Sequence, residues 1–214
     1  MRYSFTRSIR GYPWRHQLLC LLPSVALLCC LALFVGDGDA STLYFKEASV
    51  RHPFVTKGMR FLTNWTNIAL YAFYATLFLC GLRRKNRSPV RFVLIFISVQ
   101  IFVSAILVQL CKITVGKPRP LPALEGFGYS PFNAKGMFHS FPSGHTSEAA
   151  GAAFPLANRY KKPLISLFLG LLVALLGFSR IYLTMHDIAD VAGGLAAGVL
   201  AGILNHHLCC REQP

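Results

Sequence analysis

The chain has 214 residues, of which 54% are hydrophobic and only 14% charged, against about 25% charged in ordinary globular domains. Apolar runs of about 20 residues recur, which excludes a typical soluble domain and points to an integral membrane protein. A formal charge of +14 would suggest nucleic acid as the partner of a soluble chain; here the placement of the charge argues otherwise. The seven cysteines lie in or beside apolar runs and show no paired CxxC spacing, so no zinc site is implied. Most read as small core or lipid-facing residues, with Cys209-Cys210 a candidate for acylation.

In chain order, residues 1–16 are polar and basic, with Arg2, Arg7, Arg10 and Arg15. The first apolar run comes next. Gly-Asp-Gly-Asp-Ala after it resembles a signal-peptide cleavage region ending at Ala40, but the run exceeds the usual h-region, so a retained anchor is expected. Residues 36–60 are mixed, and Leu43, Tyr44 and Phe45 suit a membrane interface. Two further spans flank the densest basic loop, 83–91. Residues 112–141 form a loop rich in Gly and Pro, which cannot cross a bilayer and whose aromatics suit an interfacial lid. Within it, Glu125 and Lys135 are candidates to touch a headgroup. Three more apolar stretches complete the chain. The expectation is one all-α domain over 1–214, a six-transmembrane helix bundle with spans at about 17–35, 61–82, 92–111, 145–158, 164–180 and 187–206.

Six spans place the N-terminus, the 83–91 and 159–163 loops and the tail on one side. Thirteen of the 22 lysines and arginines lie there, with Glu212 the only acid; the other side carries the remaining nine with seven acids. Positive loops stay in the cytoplasm, so the second side faces outward and both termini inward. Orientation, with some attraction to anionic headgroups, accounts for the positive charge, and no nucleic-acid partner is expected.

The outward side gathers the chemistry. Ser179-Arg180 precedes His186 by a short loop, and Asp190 lies four residues further on, the spacing of neighbours on a helix face. An acid behind an imidazole fixes its tautomer and stabilises its cation, and Arg180 offers a planar fork for an oxyanion or phosphate. Two other segments accompany this one: Lys112-Ile-Thr-Val-Gly-Lys-Pro-Arg119-Pro120 and Phe141-Pro142-Ser143-Gly144-His145.

The order and spacing KX6RP, PSGH, SRX5HX3D resemble the type 2 phosphatidic acid phosphatase (PAP2) superfamily, whose members include membrane lipid phosphatases, soluble class A acid phosphatases and vanadium haloperoxidases. All signature positions match. The resemblance implies a PAP2/haloperoxidase-type bundle with an external active site. It implies His186 as nucleophile, forming a phosphohistidine; Asp190 as its orienting acid; and His145 as general acid, later helping to activate water. Lys112, Arg119 and Arg180 would hold the phosphoryl oxygens, doing what a metal does elsewhere. Ser143 would donate its hydroxyl to the phosphate and also suits an N-cap, and Gly144 would allow close backbone approach. No metal or other cofactor is required. His139, Lys117 and Asp187 match no signature position. His139 reads as structural or substrate-proximal, Lys117 as a source of local positive potential, and Asp187 as an exposed polar residue or helix-start charge.

The leading expectation is a metal-independent lipid phosphatase acting at the periplasmic face of a bacterial inner membrane, on phosphatidylglycerol phosphate, undecaprenyl diphosphate, phosphatidic acid or a lipid A phosphate. Alternatives are a lipid phosphotransferase using the same phosphohistidine, a vanadate-dependent haloperoxidase, and a non-catalytic membrane binding or transport protein. The expected partners are the lipid phosphate and the bilayer, with no obligate protein partner. The sequence leaves the lipid and the oligomeric state open.

Overall fold

Breakers and caps set the helix limits. Proline opens two helices at the position where its missing N–H costs nothing: α3 (Pro53–Arg83) and α6 (Pro163–Tyr182). Asn86 caps α4 (Arg87–Val115), its side chain accepting from the Ser88 amide at 3.0 Å. That helix stops at Gly116, which adopts φ +61°; a Cβ there would lie 2.0 Å from the Ser130 carbonyl oxygen. The remaining helices are α1 (Trp14–Phe34), α2 (Asp39–Arg51), α5 (Gly144–Tyr160) and α7 (Ile188–Arg211). The computed structural model describes residues 11–36, 38–120 and 127–211, and no strand occurs among them. The all-helical expectation therefore holds.

The helix limits differ from those expected. The second span begins at Pro53, not near 61, and α4 runs beyond 92–111 at both ends. Within α4, Ile101–Leu107 is a π-helical segment, a departure that hydrophobic periodicity does not signal. The mixed stretch 36–60 contains the whole of α2, with Leu43 and Tyr44 exposed but Phe45 buried against Phe178 and Tyr182. Among the described residues five helices, α1, α3, α4, α6 and α7, are long and apolar enough to cross a membrane. The expected span 145–158 is α5, and it does not meet that test. It has 17 residues and is the centre of the bundle, packing against α1, α3, α4, α6 and α7, and every residue from Ala149 to Asn158 is buried. A helix enclosed by protein has no need of lipid-facing hydropathy, which is why its sequence is small and only weakly apolar.

Small residues make that enclosure possible. Gly194, Gly198 and Gly202 recur every four residues along α7 and form one face, as in tight membrane helix pairs. A Cβ on Gly194 would lie 2.6 Å from the Ser143 carbonyl oxygen, and one on Gly198 2.3 Å from the Ala150 Cβ. On the other side of α5, Tyr74 stacks on Phe96 at 3.6 Å between ring centroids and donates its hydroxyl to the Ala152 carbonyl at 2.8 Å. The helix directions bring the C-terminal ends of α4 and α6 and the N-terminal ends of α5 and α7 to one end of the bundle. Lys112, Arg180, His145 and Asp190 lie at those ends.

Gly198→Leu should therefore cost at least the roughly 1–3 kcal/mol typical of overpacking, read as a lowered thermal midpoint in detergent. Gly58→Ala, in α3 with nothing within 4 Å of the added Cβ, should be neutral or slightly stabilising in the same assay.

Candidate active site

His186 stands in the short connection between α6 and α7. It is 3% exposed, and its Nδ1 lies 3.3 Å from Asp190 Oδ2. A carboxylate on Nδ1 assigns the ring proton to that nitrogen and leaves Nε2 for the adjoining space. Asp190 is wholly buried. Its Oδ2 also accepts from the Ser140 hydroxyl and from the Asp187 amide at 3.2 Å, and its Oδ1 accepts from Lys117 Nζ at 2.9 Å. Asp187 returns the bond, its Oδ1 accepting from the Asp190 amide at 2.9 Å. Reciprocal bonds three residues apart at a helix start form a capping box, so α7 is capped by the carboxylate that holds the histidine.

A cavity of about 470 Å³ opens beside His186. Six of the eight expected site residues line it: Lys112, Arg119, Gly144, His145, Arg180 and His186. Asp190 stands behind His186. Ser143 occupies the N-cap position of α5 without a side-chain cap bond; it is buried outside the cavity wall, its hydroxyl 3.0 Å from Thr146 Oγ1. Its amide donates to the Asp190 carbonyl at 2.9 Å, so Ser143 ties the start of α5 to α7.

The three cations are positioned by neutral acceptors. Lys112 Nζ donates to the His139 carbonyl at 2.9 Å, Arg119 Nε to the Gly136 carbonyl at 3.2 Å, and Arg180 Nη1 to Thr63 Oγ1 at 2.9 Å. None of them forms an ion pair among the described residues. Arg180 is 8% exposed, and its Nε is buried with no hydrogen-bond partner among the described residues. A buried guanidinium donor left unpaired is costly, and an anion in the adjoining cavity would satisfy it. Three cations around one void, none in a direct ion pair among the described residues, fit a phosphoryl group.

Electrostatics prepare the imidazole. Burial lowers the His186 pKa to about 4, the bond and charge of Asp190 opposing and Arg180 and Lys112 assisting. The ring is thus neutral near pH 7. Around it, burial disfavours the Lys117 ammonium, but Asp187 and Asp190 more than offset this and raise its pKa. Burial and the nearby Asp190 charge raise that of Asp187.

Several residues acquire a place that sequence reasoning did not give them. Asp187 is at a helix start as expected but is buried, paired with Lys117; the exposed reading fails because the loop folds back over it. Lys117 is more than a diffuse positive charge, since it bridges two carboxylates. His139 lines the cavity, and its ring meets the Asn133 carbonyl at 2.7 Å. Ser140, Thr63 and Glu148 also reach the site or its residues. The Asp-x-x-Asp spacing was a legible signal for the capping box; Thr63 and Ser140 carried none. In the 112–141 loop, Phe127, Tyr129 and Phe132 are exposed and Phe138 is buried. Lys135 is exposed, and Glu125 lies outside the described residues.

The fold and site define an integral membrane helical bundle with a polar, cation-lined pocket at one end. The family model described as "PAP2 superfamily" matches residues 90–209, more than half of the chain, and the protein belongs to that superfamily. The chain is 35% identical over 71 residues to phosphatidylglycerophosphatase B of Bacillus subtilis (strain 168), covering 28% of this chain and 34% of that protein. It is 33% identical over 106 residues to a lipid A 1-phosphatase of Rhizobium johnstonii, covering 47% and 41%. These matches span well under half of the relatives' lengths. A crystal structure described as a transmembrane PAP2-type phosphatidylglycerolphosphate phosphatase from Bacillus subtilis superposes with a TM-score of 0.56 at 21% identity, covering 92% of this chain and 97% of that one; this likeness concerns the fold.

Two outcomes test the site's internal order. Lys117→Met should lower stability by roughly 3–5 kcal/mol, the cost of breaking a buried ion pair, as a fall in thermal midpoint; an unchanged midpoint would show that Lys117 does not hold the carboxylates. If phosphate release depends on neutral His186, the acid limb of log kcat/KM should fall near pH 4, not near the about 6.5 of a free imidazole. Activity would be present above that limb and lost as pH falls through it.

Proposed function

We propose that this protein is a metal-independent lipid phosphatase that hydrolyses a lipid phosphomonoester or diphosphate through a phosphohistidine on His186. The observation that carries this reading is the single cavity in which neutral His186, His145 and three cations meet, none of the cations in a direct ion pair and the buried Arg180 Nε without an acceptor among the described residues.

The phosphate enters with its oxygens toward Lys112, Arg119 and Arg180. The Gly144 backbone lies against it at the start of α5. His186 Nε2 attacks phosphorus; the P–N bond forms as the P–O bond to the leaving group breaks. Burial and the charges of Arg180, Lys112 and Arg119 disfavour the protonated form of His145; the phosphate's negative charge beside it offsets them, and His145 takes up a proton and gives it to that oxygen. Asp190 stabilises the imidazolium that results. His145, now neutral, takes a proton from water, whose oxygen attacks phosphorus. The P–N bond breaks, releasing inorganic phosphate and neutral His186. The cations supply the charge stabilisation throughout.

A lipid substrate is supported by a second cavity. It has about 800 Å³ of apolar space between α3, α5 and α6, with Phe61, Trp65, Phe73, Leu156, Phe168 and Leu172 among its walls. Its α3 wall begins within one turn of Thr63, the partner of Arg180, and a hydrocarbon chain fits along it. The named relatives support the same class: one is called a phosphatidylglycerophosphatase and the other a lipid A 1-phosphatase. The charge asymmetry of the loops supports a site at the external, periplasmic face of a bacterial inner membrane.

His186→Ala and His145→Ala should each abolish phosphate release from lipid phosphates while the purified protein still elutes as a folded species in detergent. Full activity in either variant overturns the assignment. Arg180→Lys should lose at least about 100-fold in kcat/KM, because an ammonium cannot replace a bidentate fork. Activity should persist in EDTA and be inhibited by vanadate; strict dependence on added magnesium would count against the mechanism. Measuring inorganic phosphate directly separates hydrolysis from transfer to another lipid.

A further inference from the structure

Glu148 is the one carboxylate among the described residues lining the site cavity, and the phosphoryl-transfer steps do not use it. It lies one turn beyond His145 on α5, a spacing that shares a helix face. Asn67 Nδ2 holds the two together, donating to Glu148 Oε2 at 2.9 Å and to the His145 carbonyl at 3.3 Å. Glu148 forms no direct ion pair with Lys112, Arg119 or Arg180 among the described residues, and the charge of Lys112 favours its ionised form. Its other oxygen, Oε1, accepts no hydrogen bond within the described chain.

Beyond Glu148 a second chamber of about 260 Å³ extends between α3, α4 and α5. Its walls include Tyr71, Phe96 and Gln100, and it shares Ser104, Ala105 and Glu148 with the site cavity. Ser104 and Ala105 belong to the π-helical segment of α4, the kind of local bulge that often marks functional positions. Glu148 therefore stands at the junction of the phosphate cavity and a neighbouring side chamber.

Resting on the phosphatase reading, we propose that Glu148 selects the leaving group, favouring a phosphomonoester whose alcohol carries hydroxyls and rejecting a diphosphate. The leaving oxygen must face His145, the proton donor. The group bonded to the far side of that oxygen then lies along the next turn of α5, against Glu148. In a monoester it is a carbon skeleton, and any hydroxyl on it can donate to the carboxylate. In a diphosphate it is a second phosphoryl group, whose negative charge meets a like charge in a partly desolvated site. Repulsion of this kind is how a site gains specificity against a competitor that its attractive contacts would otherwise accept.

The test compares kcat/KM for two substrates in the same detergent. One is a lipid phosphomonoester on a glycerol headgroup with a free hydroxyl, and the other a polyprenyl diphosphate. The unaltered protein should favour the monoester. Glu148→Gln removes the charge and keeps an acceptor for Asn67; the ratio should shift toward the diphosphate by at least about tenfold, a 1.4 kcal/mol change in discrimination. Glu148→Asp, which keeps the charge, should retain most of the preference. Glu148→Ala provides the same readout should the glutamine variant not fold. A ratio unchanged in both charge-removing variants, or an unaltered enzyme that prefers the diphosphate, overturns the proposal while leaving the phosphatase reading in place. Release of phosphate from neither substrate by the unaltered protein overturns both.

Discussion

The buried carboxylate of Asp190 is the interaction on which the site depends. A wholly buried acid is tolerated only when its oxygens are satisfied, and the donors come from three separate parts of the chain. Lys117 reaches it from the loop after α4, Ser140 from the segment before α5, and His186 and the Asp187 amide from the connection into α7. Its own carbonyl accepts from Ser143 at the start of α5. One residue thus caps a helix, orients the imidazole and joins three motif-bearing segments.

The packing of α5 makes that convergence possible. Glycines 194, 198 and 202 let α7 approach α5 closely enough for the Ser143 amide to reach the Asp190 carbonyl, so the two helix starts are fixed side by side. The cations arrive on the C-terminal ends of α4 and α6, at the same end of the bundle. Because Lys112 and Arg180 sit near helix C-termini, their charges are favourable to the helix dipoles, while neutral acceptors hold their side chains in place. The result is a set of cations ordered before any anion binds, which is the condition for electrostatic stabilisation without reorganisation.

The two histidines of the cavity differ in exposure. His186 is buried and held neutral with its Nδ1 engaged; His145 is exposed to the cavity at the first turn of α5. Burial and the neighbouring cations disfavour the charged form of both rings, so what separates them is geometry: a carboxylate holds Nδ1 of His186, while His145 is open to the cavity. Glu148 adds a third character to the same space, a carboxylate that forms no direct ion pair with Lys112, Arg119 or Arg180 among the described residues.

The sequence by itself determined the all-helical membrane class, the family, and the residues that carry the motif, because apolar run length and fixed motif intervals are local properties written in consecutive residues. It did not determine that 145–158 would be an enclosed central helix, since a small-residue run reads the same whether it faces lipid or protein. Nor could it show that Asp187 is buried under Lys117, that the Ser143 hydroxyl turns toward Thr146 outside the cavity, or that Thr63, Asn67, Ser140 and Glu148 reach the site. Those facts depend on which side chains the helices bring together across long sequence separations. Only the tertiary packing, set by glycine contacts and by the need to satisfy buried polar groups, decides them.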